Sequence, residues 1–183
     1  MKVGLKIKGI DEAIWNCGKP LVEKAMRQML KTLGTRARTQ ISKLIRKEYN
    51  LKKRDLDKQI VVKPQLNNYQ VSLNIRGKKI PLIEFGAKPT KRGVSILIKK
   101  GRGRVVIPHT FEATMTSGHI GIFERKVEGG IRAERLPIEE KVGPSVPQLA
   151  GATKVLDGLK VWAIPQAQKL FDSKLSYLSK KKS

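Results

Sequence analysis

Apolar residues recur three or four positions apart along the first quarter of the chain: Val22, Met26, Met29, Leu33, Ala37, Ile41 and Leu44. This is the α-helical period. It predicts one long helix from Pro20, a residue favoured in a first helical turn, to about Arg46. Gly34 is its weak point, at a cost of about 1 kcal/mol relative to Ala. Asp11 is placed to cap an earlier helical turn that buries Ile14 and Trp15. Asn50 is placed to cap a later short helix carrying Leu51, Leu56 and Ile60.

Elsewhere the period falls to two. Val3, Leu5 and Ile7 alternate with Lys2, Gly4, Lys6 and Lys8, which predicts a strand over 2–8 rather than an apolar leader. Val71, Leu73 and Ile75 alternate with polar residues, and Arg76-Gly77-Lys78-Lys79 reads as a turn into a strand at 80–85. Segments 94–99 and 104–108 flank Lys100-Gly101-Arg102-Gly103, and segments 119–127 and 131–137 flank Gly129-Gly130. Both pairs read as hairpins, so the sheet is antiparallel.

Gly143-Pro144-Ser145-Val146-Pro147 breaks the pattern. Val155, Leu156, Leu159, Ala163, Ala167, Leu170, Leu175 and Leu178 then predict a C-terminal helix that Pro165 kinks or divides. Lys180-Lys181-Lys182 is expected to fray. The expectation is an α+β fold, a central antiparallel sheet of hairpins flanked by a long N-terminal helix and a C-terminal helix. It forms a single domain over 1–183, helical at 11–60, mainly β at 61–142, helical at 147–180, with a basic tail at 180–183.

Composition adds one strong constraint. The 183 residues include 39 Lys and Arg against 15 Asp and Glu, a formal charge of +24. A small domain needs a magnitude of only about 2–8 for solubility. Charge of this size repels itself unless nucleic acid, an acidic protein neighbour or an anionic membrane neutralises it; a solvated basic surface is the alternative. Aromatic residues are only 5%, so aliphatic side chains must fill the core. The single cysteine, Cys17, forms no internal disulfide and fits a reducing cytoplasm. No run of about 18 apolar residues is present, so no membrane-spanning helix is expected.

The charge is concentrated in two places. Between Glu23 and Glu48 the long helix carries Lys24, Arg27, Lys31, Arg36, Arg38, Lys43, Arg46 and Lys47 with no acid among them. A salt-bridged surface helix would mix signs at i,i+4 spacing. From 85 to 111 there are seven basic residues and no acid: Lys88, Lys91, Arg92, Lys99, Lys100, Arg102 and Arg104. Hairpin loops of this kind contact phosphates without reading bases. No aromatic residue lies between Phe85 and Phe111 to stack on bases, which disfavours sequence-specific single-strand recognition. The candidate contacts with DNA or an acidic partner are therefore these seven, with Arg27, Lys31 and Arg38 on the helix.

Catalysis has little to stand on. His109 and His119 are the only histidines and neither has metal-ligand spacing. Glu139 and Glu140 are adjacent and point different ways on a strand. Ser145 lacks the surroundings of a hydrolase nucleophile. Gly101-Arg102-Gly103-Arg104 lacks the ending of a phosphate-binding loop, and a turn between strands accounts for its glycines. No enzymatic activity, cofactor or metal is expected.

Three blocks carry a resemblance. The first is Lys79-Ile80-Pro81-Leu82-Ile83-Glu84-Phe85-Gly86-Ala87-Lys88, followed by Thr90-Lys91-Arg92-Gly93-Val94-Ser95-Ile96. The second is Phe111-Glu112-Ala113-Thr114-Met115 with Gly118-His119-Ile120-Gly121-Ile122-Phe123-Glu124-Arg125. The third is Arg135-Leu136-Pro137-Ile138 leading to Gly143-Pro144-Ser145-Val146. In order and spacing, from about 51 to 148, they resemble the minor tail protein Z family of tailed bacteriophages, the tail-completion proteins. The resemblance implies a structural virion protein of a phage or prophage, acting at the head-proximal end of the tail or the head–tail junction.

It also implies a homo-oligomeric ring, other phage tail or connector proteins as partners, no membrane partner, and assembly in the bacterial host cytoplasm. Double-stranded DNA entering the tail is a further, non-specific partner. Apolar residues flanked by loops, Ile80, Leu82, Phe85, Ile120 and Phe123, are candidates for the subunit interface, with core packing as the competing role. The alternative functional reading is a general basic nucleic-acid-binding protein of the ribosome-associated type.

Overall fold

The computed structural model describes residues 7–65, 70–128, 131–132 and 137–182. The fold is α+β, with long helices near both ends and antiparallel strands between them. The chain divides into two compact units. One comprises Met1–Leu44, Ile60–Ile75 and Gly151–Ser183, the other Ile45–Gln59 and Arg76–Ala150.

The first unit is built on helices α1 (Ile10–Cys17), α2 (Lys19–Glu48, which continues into the second unit) and α5 (Thr153–Lys182). Ala13, Val22, Ala25, Met29, Leu30 and Leu33 join Ala167, Leu170, Phe171 and Leu178 in one buried core. The α2 members follow the predicted helical spacing, and Gly34 does not interrupt the helix. A Cβ added at Gly158 would stand 3.1 Å from Leu44 Cδ2, so α5 lies close against α2 there.

Several expectations fail here for identifiable reasons. Trp15 is 90% exposed. In α1 the residues that meet the core are Ile10, Ala13 and Ile14, and adjacent helical residues point about 100° apart, so Trp15 turns away from the face that Ile14 shares. The residue preceding α1 is Gly9 in a left-handed conformation with no side-chain cap, and Asp11 lies inside the first turn. Pro165 does not divide α5. Its missing N–H would have served the carbonyl of Val161, a residue on the exposed side of the helix (75% exposed), where a carbonyl without a helical donor costs less than in the core. Lys180–Lys182 continue the helix, where cations favour the C-terminal end of the macrodipole.

Ile60 opens a strand, not a helix. Strands β1 (Ile60–Gln65) and β2 (Gln70–Ile75) form an antiparallel hairpin in the register Ile60↔Ile75 to Gln65↔Gln70. The predicted turn at 76–79 therefore joins no hairpin. The expected strand at 2–8 lies almost wholly outside the described residues. Within it, the Lys8 backbone is clasped by the Gln168 amide, which accepts from Lys8 N–H at 2.9 Å and donates to Lys8 C=O at 3.3 Å.

The second unit contains α3 (Lys53–Asp57), β3 (Lys79–Pro81), a one-turn 3-10 helix at Leu82–Phe85, β4 (Lys88–Thr90), β5 (Gly93–Ile96) and β6 (Val105–Pro108). It continues with β7 (Thr110–Thr114), β8 (Ile120–Arg125), β9 (Val127–Glu128), β10 (Ile131–Arg132), β11 (Ile138–Glu140), β12 (Val142–Ser145) and α4 (Val146–Ala150). The strands pair as β4-β5-β6, β11-β8-β7, β12-β3 and β10-β9, all antiparallel.

The sheet is thus divided into small pieces, and the reason lies in particular residues. The predicted strand at 80–85 stops at Pro81 and tightens into the 3-10 turn, ended by Gly86 in a left-handed conformation (φ 65). The β5–β6 hairpin forms where expected, Gly93↔Pro108 to Ile96↔Val105. The other expected hairpin survives only as the β9–β10 pair, and its Gly129-Gly130 turn and residues 133–136 lie outside the described residues. Strand β8 pairs instead with β7 and β11.

Asn50 caps no helix, because α3 starts three residues later with Lys52 at its N-cap; its side chain donates to the Phe85 carbonyl at 3.1 Å. At the start of α4, Gln148 reaches back to Ser145, one half of a capping box. The Gln148 side-chain oxygen accepts from the Ser145 backbone N–H at 2.9 Å and from its hydroxyl at 3.1 Å.

Candidate nucleic-acid interface

The cationic hairpins of the second unit rest on two tight glycine positions. Gly93 has φ 147, and a Cβ there would lie 2.0 Å from the Ile107 carbonyl oxygen. Only glycine lets β5 pass that close to β6. A Cβ at Gly143 would lie 2.7 Å from Phe85 Cε2. That glycine lets β12 pack over the 3-10 turn, where Leu82 N–H also donates to Lys141 C=O at 3.2 Å. The first and third sequence blocks thereby become neighbours, with Ser145 opposite Lys79 and Val142 opposite Pro81.

On this frame the seven basic residues separate by what their side chains do. Arg104 is a latch. Its Nε donates to Ser95 Oγ at 3.0 Å, and its Nη2 donates to the carbonyls of Ser95 at 2.7 Å and Gly86 at 2.6 Å. Lys100 caps a helix. Its Nζ donates to Arg46 C=O at 2.7 Å while its backbone N–H donates to Glu48 C=O at 2.8 Å, satisfying carbonyls that the end of α2 leaves open. Lys99 is half-buried beside its bridge partner Tyr49. Lys88, Lys91, Arg92 and Arg102 are exposed, and among the described residues their side chains hold no hydrogen bond or ion pair. These four are the groups this surface can offer to phosphates.

One neighbour had no signal in the sequence. His109 adopts φ 62, a left-handed conformation unusual outside glycine, and its backbone N–H donates to Arg92 C=O at 3.1 Å. The β6–β7 corner is therefore held against the Lys91-Arg92 turn. Register across β5 and β6, not spacing along the chain, brings them together.

The helix carries a separate surface in the first unit. Arg27, Lys31 and Arg38 are all exposed and lie along the face of α2 opposite its buried stripe, together with Lys24 and Thr35.

The apolar interface candidates divide sharply. Ile80, Leu82, Phe85 and Phe123 are buried within the second unit and have no surface to offer another subunit, since an aliphatic core with few aromatics needs them. Ile120 is 47% exposed.

The β11-β8-β7 sheet collects ionic pairs. His119 Nε2 lies 2.8 Å from Glu140 Oε1, and the His119 ring meets Phe123 edge-on at 6.4 Å. Gly121 leaves the room that the Glu140 carboxylate occupies, 2.7 Å from where its Cβ would stand. Lys141 Nζ lies 2.8 Å from Glu124 Oε2; this hydrogen bond, with the charges of Glu124 and Glu139, raises the Lys141 pKa against a smaller lowering by burial. Arg125 stacks 5.9 Å from the Phe111 ring centre. Among the described residues no group of three or more His, Cys, Asp or Glu is placed to hold a metal ion, and no helix is long and apolar enough to cross a membrane.

No protein-family model, curated protein or solved structure matches the chain.

Proposed function

We propose that this chain is a structural virion protein of a tailed phage or prophage, completing the tail at its head-proximal end or at the head–tail junction as a subunit of a ring. The observation that carries this reading is the order of the tail-completion-like blocks, 79–96, 111–125 and 135–146, all of which fall within the second unit. The exposed, unpaired Lys88, Lys91, Arg92 and Arg102 support contact with the DNA end or an acidic neighbouring ring. DNA presents about one negative charge per 1.7 Å of axis, so such a contact needs no base recognition.

The test is Lys91→Glu, Arg92→Glu and Arg102→Glu together, supplied in trans to a phage whose own copy is disabled. Lys100 and Arg104 are left intact because their side chains stabilise the fold. The expected result is a folded protein that fails to complete tails. Normal yields of infectious particles would overturn the proposed contact.

The second reading, a general nucleic-acid-binding protein of the ribosome-associated type, draws on the acid-free face of α2. It predicts that purified monomer binds RNA and duplex DNA with a steep salt dependence, losing about one unit of salt slope per phosphate contact removed. Tight RNA binding by an isolated monomer, with tails completed normally in its absence, would favour it.

A further inference from the structure

Strand β6 is the outer strand of the β4-β5-β6 sheet, and β11 is the outer strand of β11-β8-β7. The opposite edge of the first sheet, β4, is blunted by Lys88 and Pro89, devices that discourage strand addition. Strand β6 ends in Pro108 but carries neither lysine nor proline along Val105-Val106-Ile107, and its valines are 60% and 42% exposed. The direction of its free backbone groups follows from the ladder. His109 N–H donates to Arg92 C=O, and hydrogen-bonded pairs alternate along an antiparallel pair, so Val105 and Ile107 face β5. The Val106 N–H and C=O then point outward. On β11, Lys141 N–H donates to Ile122 C=O and Lys126 N–H to Pro137 C=O. The same alternation turns Ile138 and Glu140 outward.

The two edges differ in charge. Residues 85–111 hold seven basic groups and no acid, whereas 112–140 hold six acidic groups against four basic ones in a chain of net +24. Glu139, at the middle of β11, is exposed.

We infer that β6 of one copy pairs edge to edge with β11 of a second copy of this chain. The β6 edge supplies apolar valines beside Arg102, and β11 supplies Ile138 and the Glu139 carboxylate. Backbone hydrogen bonds hold the pair and opposite charge sets its direction. Such a contact is heterologous: a pair of copies keeps one free β6 edge and one free β11 edge, so assembly proceeds head to tail. Two copies meeting β6 to β6 would bring two acid-free surfaces together. Moderate salt, with a screening length of about 8 Å at 0.15 M, relieves the long-range repulsion between copies while a contact pair persists. This names the subunit contact of the proposed ring and in that respect rests on the tail-completion reading. The purified protein, without DNA or tail components, tests it separately.

The experiment is sedimentation of the full chain and of two variants. Val106→Pro removes an outward N–H on β6 while sparing the bonds to β5, and Ile138→Pro does the same on β11 against β8. The wild type is expected to form species above monomer mass, each variant alone to sediment as monomer, and an equimolar mixture to form a complex of twice the monomer mass and nothing larger. Assembly of Ile138→Pro like the wild type, or a mixture that stays monomeric, would overturn the contact. A multimer built through other surfaces would do so too, while leaving the ring reading standing. If either variant fails to fold, amide exchange of the wild type decides: protection at Val106, Ile138 and Glu140 is expected to rise with protein concentration. Protection that does not change there, or a wild type that is monomeric at every concentration, refutes the inference.

Discussion

Gly93→Ala is the sharpest probe of how the cationic hairpins are built. The backbone at Gly93 has φ 147, and the new Cβ would fall 2.0 Å from the Ile107 carbonyl oxygen. Holding alanine in that conformation costs about 1–3 kcal/mol. Relieving the clash requires β6 to withdraw from β5 around Ile107, which forfeits about two ladder hydrogen bonds at about 1 kcal/mol net each. Together these come to about 3–5 kcal/mol, a large share of the roughly 5–15 kcal/mol that holds a domain together. Gly101→Ala is the control. Its φ of 87 is also unfavourable, but nothing lies within 4 Å of the added carbon, so it should cost only about 1 kcal/mol. Urea titration followed by far-UV circular dichroism measures both, and amide exchange over 93–108 locates the loss. If Gly93→Ala matches Gly101→Ala, and exchange over 93–108 does not change, the close approach of β5 to β6 is not what requires glycine, and the argument fails.

Gly143→Ala should destabilise by about 1–3 kcal/mol, because the new carbon would crowd Phe85 Cε2 at 2.7 Å and Leu82 Cδ2 at 3.2 Å; Phe85→Leu in the same chain should recover part of the loss in thermal unfolding. Lys100→Met should cost about 0.5–1 kcal/mol and speed amide exchange at the end of α2, since it removes the donor at 2.7 Å from Arg46 C=O; unchanged exchange over 45–50 would show that the cap contributes nothing. Lys141 has a raised pKa in the folded protein, chiefly through its hydrogen bond to Glu124. Its contribution is therefore fully present below the ordinary lysine value of 10.5 and lost as pH rises through the higher folded value. The stability gap between wild type and Glu124→Gln should narrow on the alkaline side in pH-dependent urea titrations, and a gap that widens there would contradict the assignment.

The long helices and the β5–β6 hairpin were legible along the chain because their information is local. A 3.6 period spaces Val22 to Leu44 on one stripe whatever the surroundings, and two glycines between β-rich runs fix a turn. The same local reasoning failed at Trp15, where burial depends on which side of a short helix meets the core. It failed again at 80–85, where Pro81 and the approach of β12 convert an apolar run into a 3-10 turn.

For the candidate interface, the sequence by itself determined the amount and sign of charge: a +24 chain with acid-free stretches on α2 and over 85–111. Only tertiary structure decided which cations remain available. Arg104 and Lys100 are indistinguishable in sequence from Arg102 and Lys91, yet the first two spend their donors on carbonyls that folding brings within reach. A buried or strand-end carbonyl must find a donor, and the side chain that supplies it is chosen by the fold. Likewise, the placing of β6 and β11 at sheet edges follows from pairings between distant segments. Composition and periodicity are properties of the chain, whereas partnership is a property of the space into which it folds.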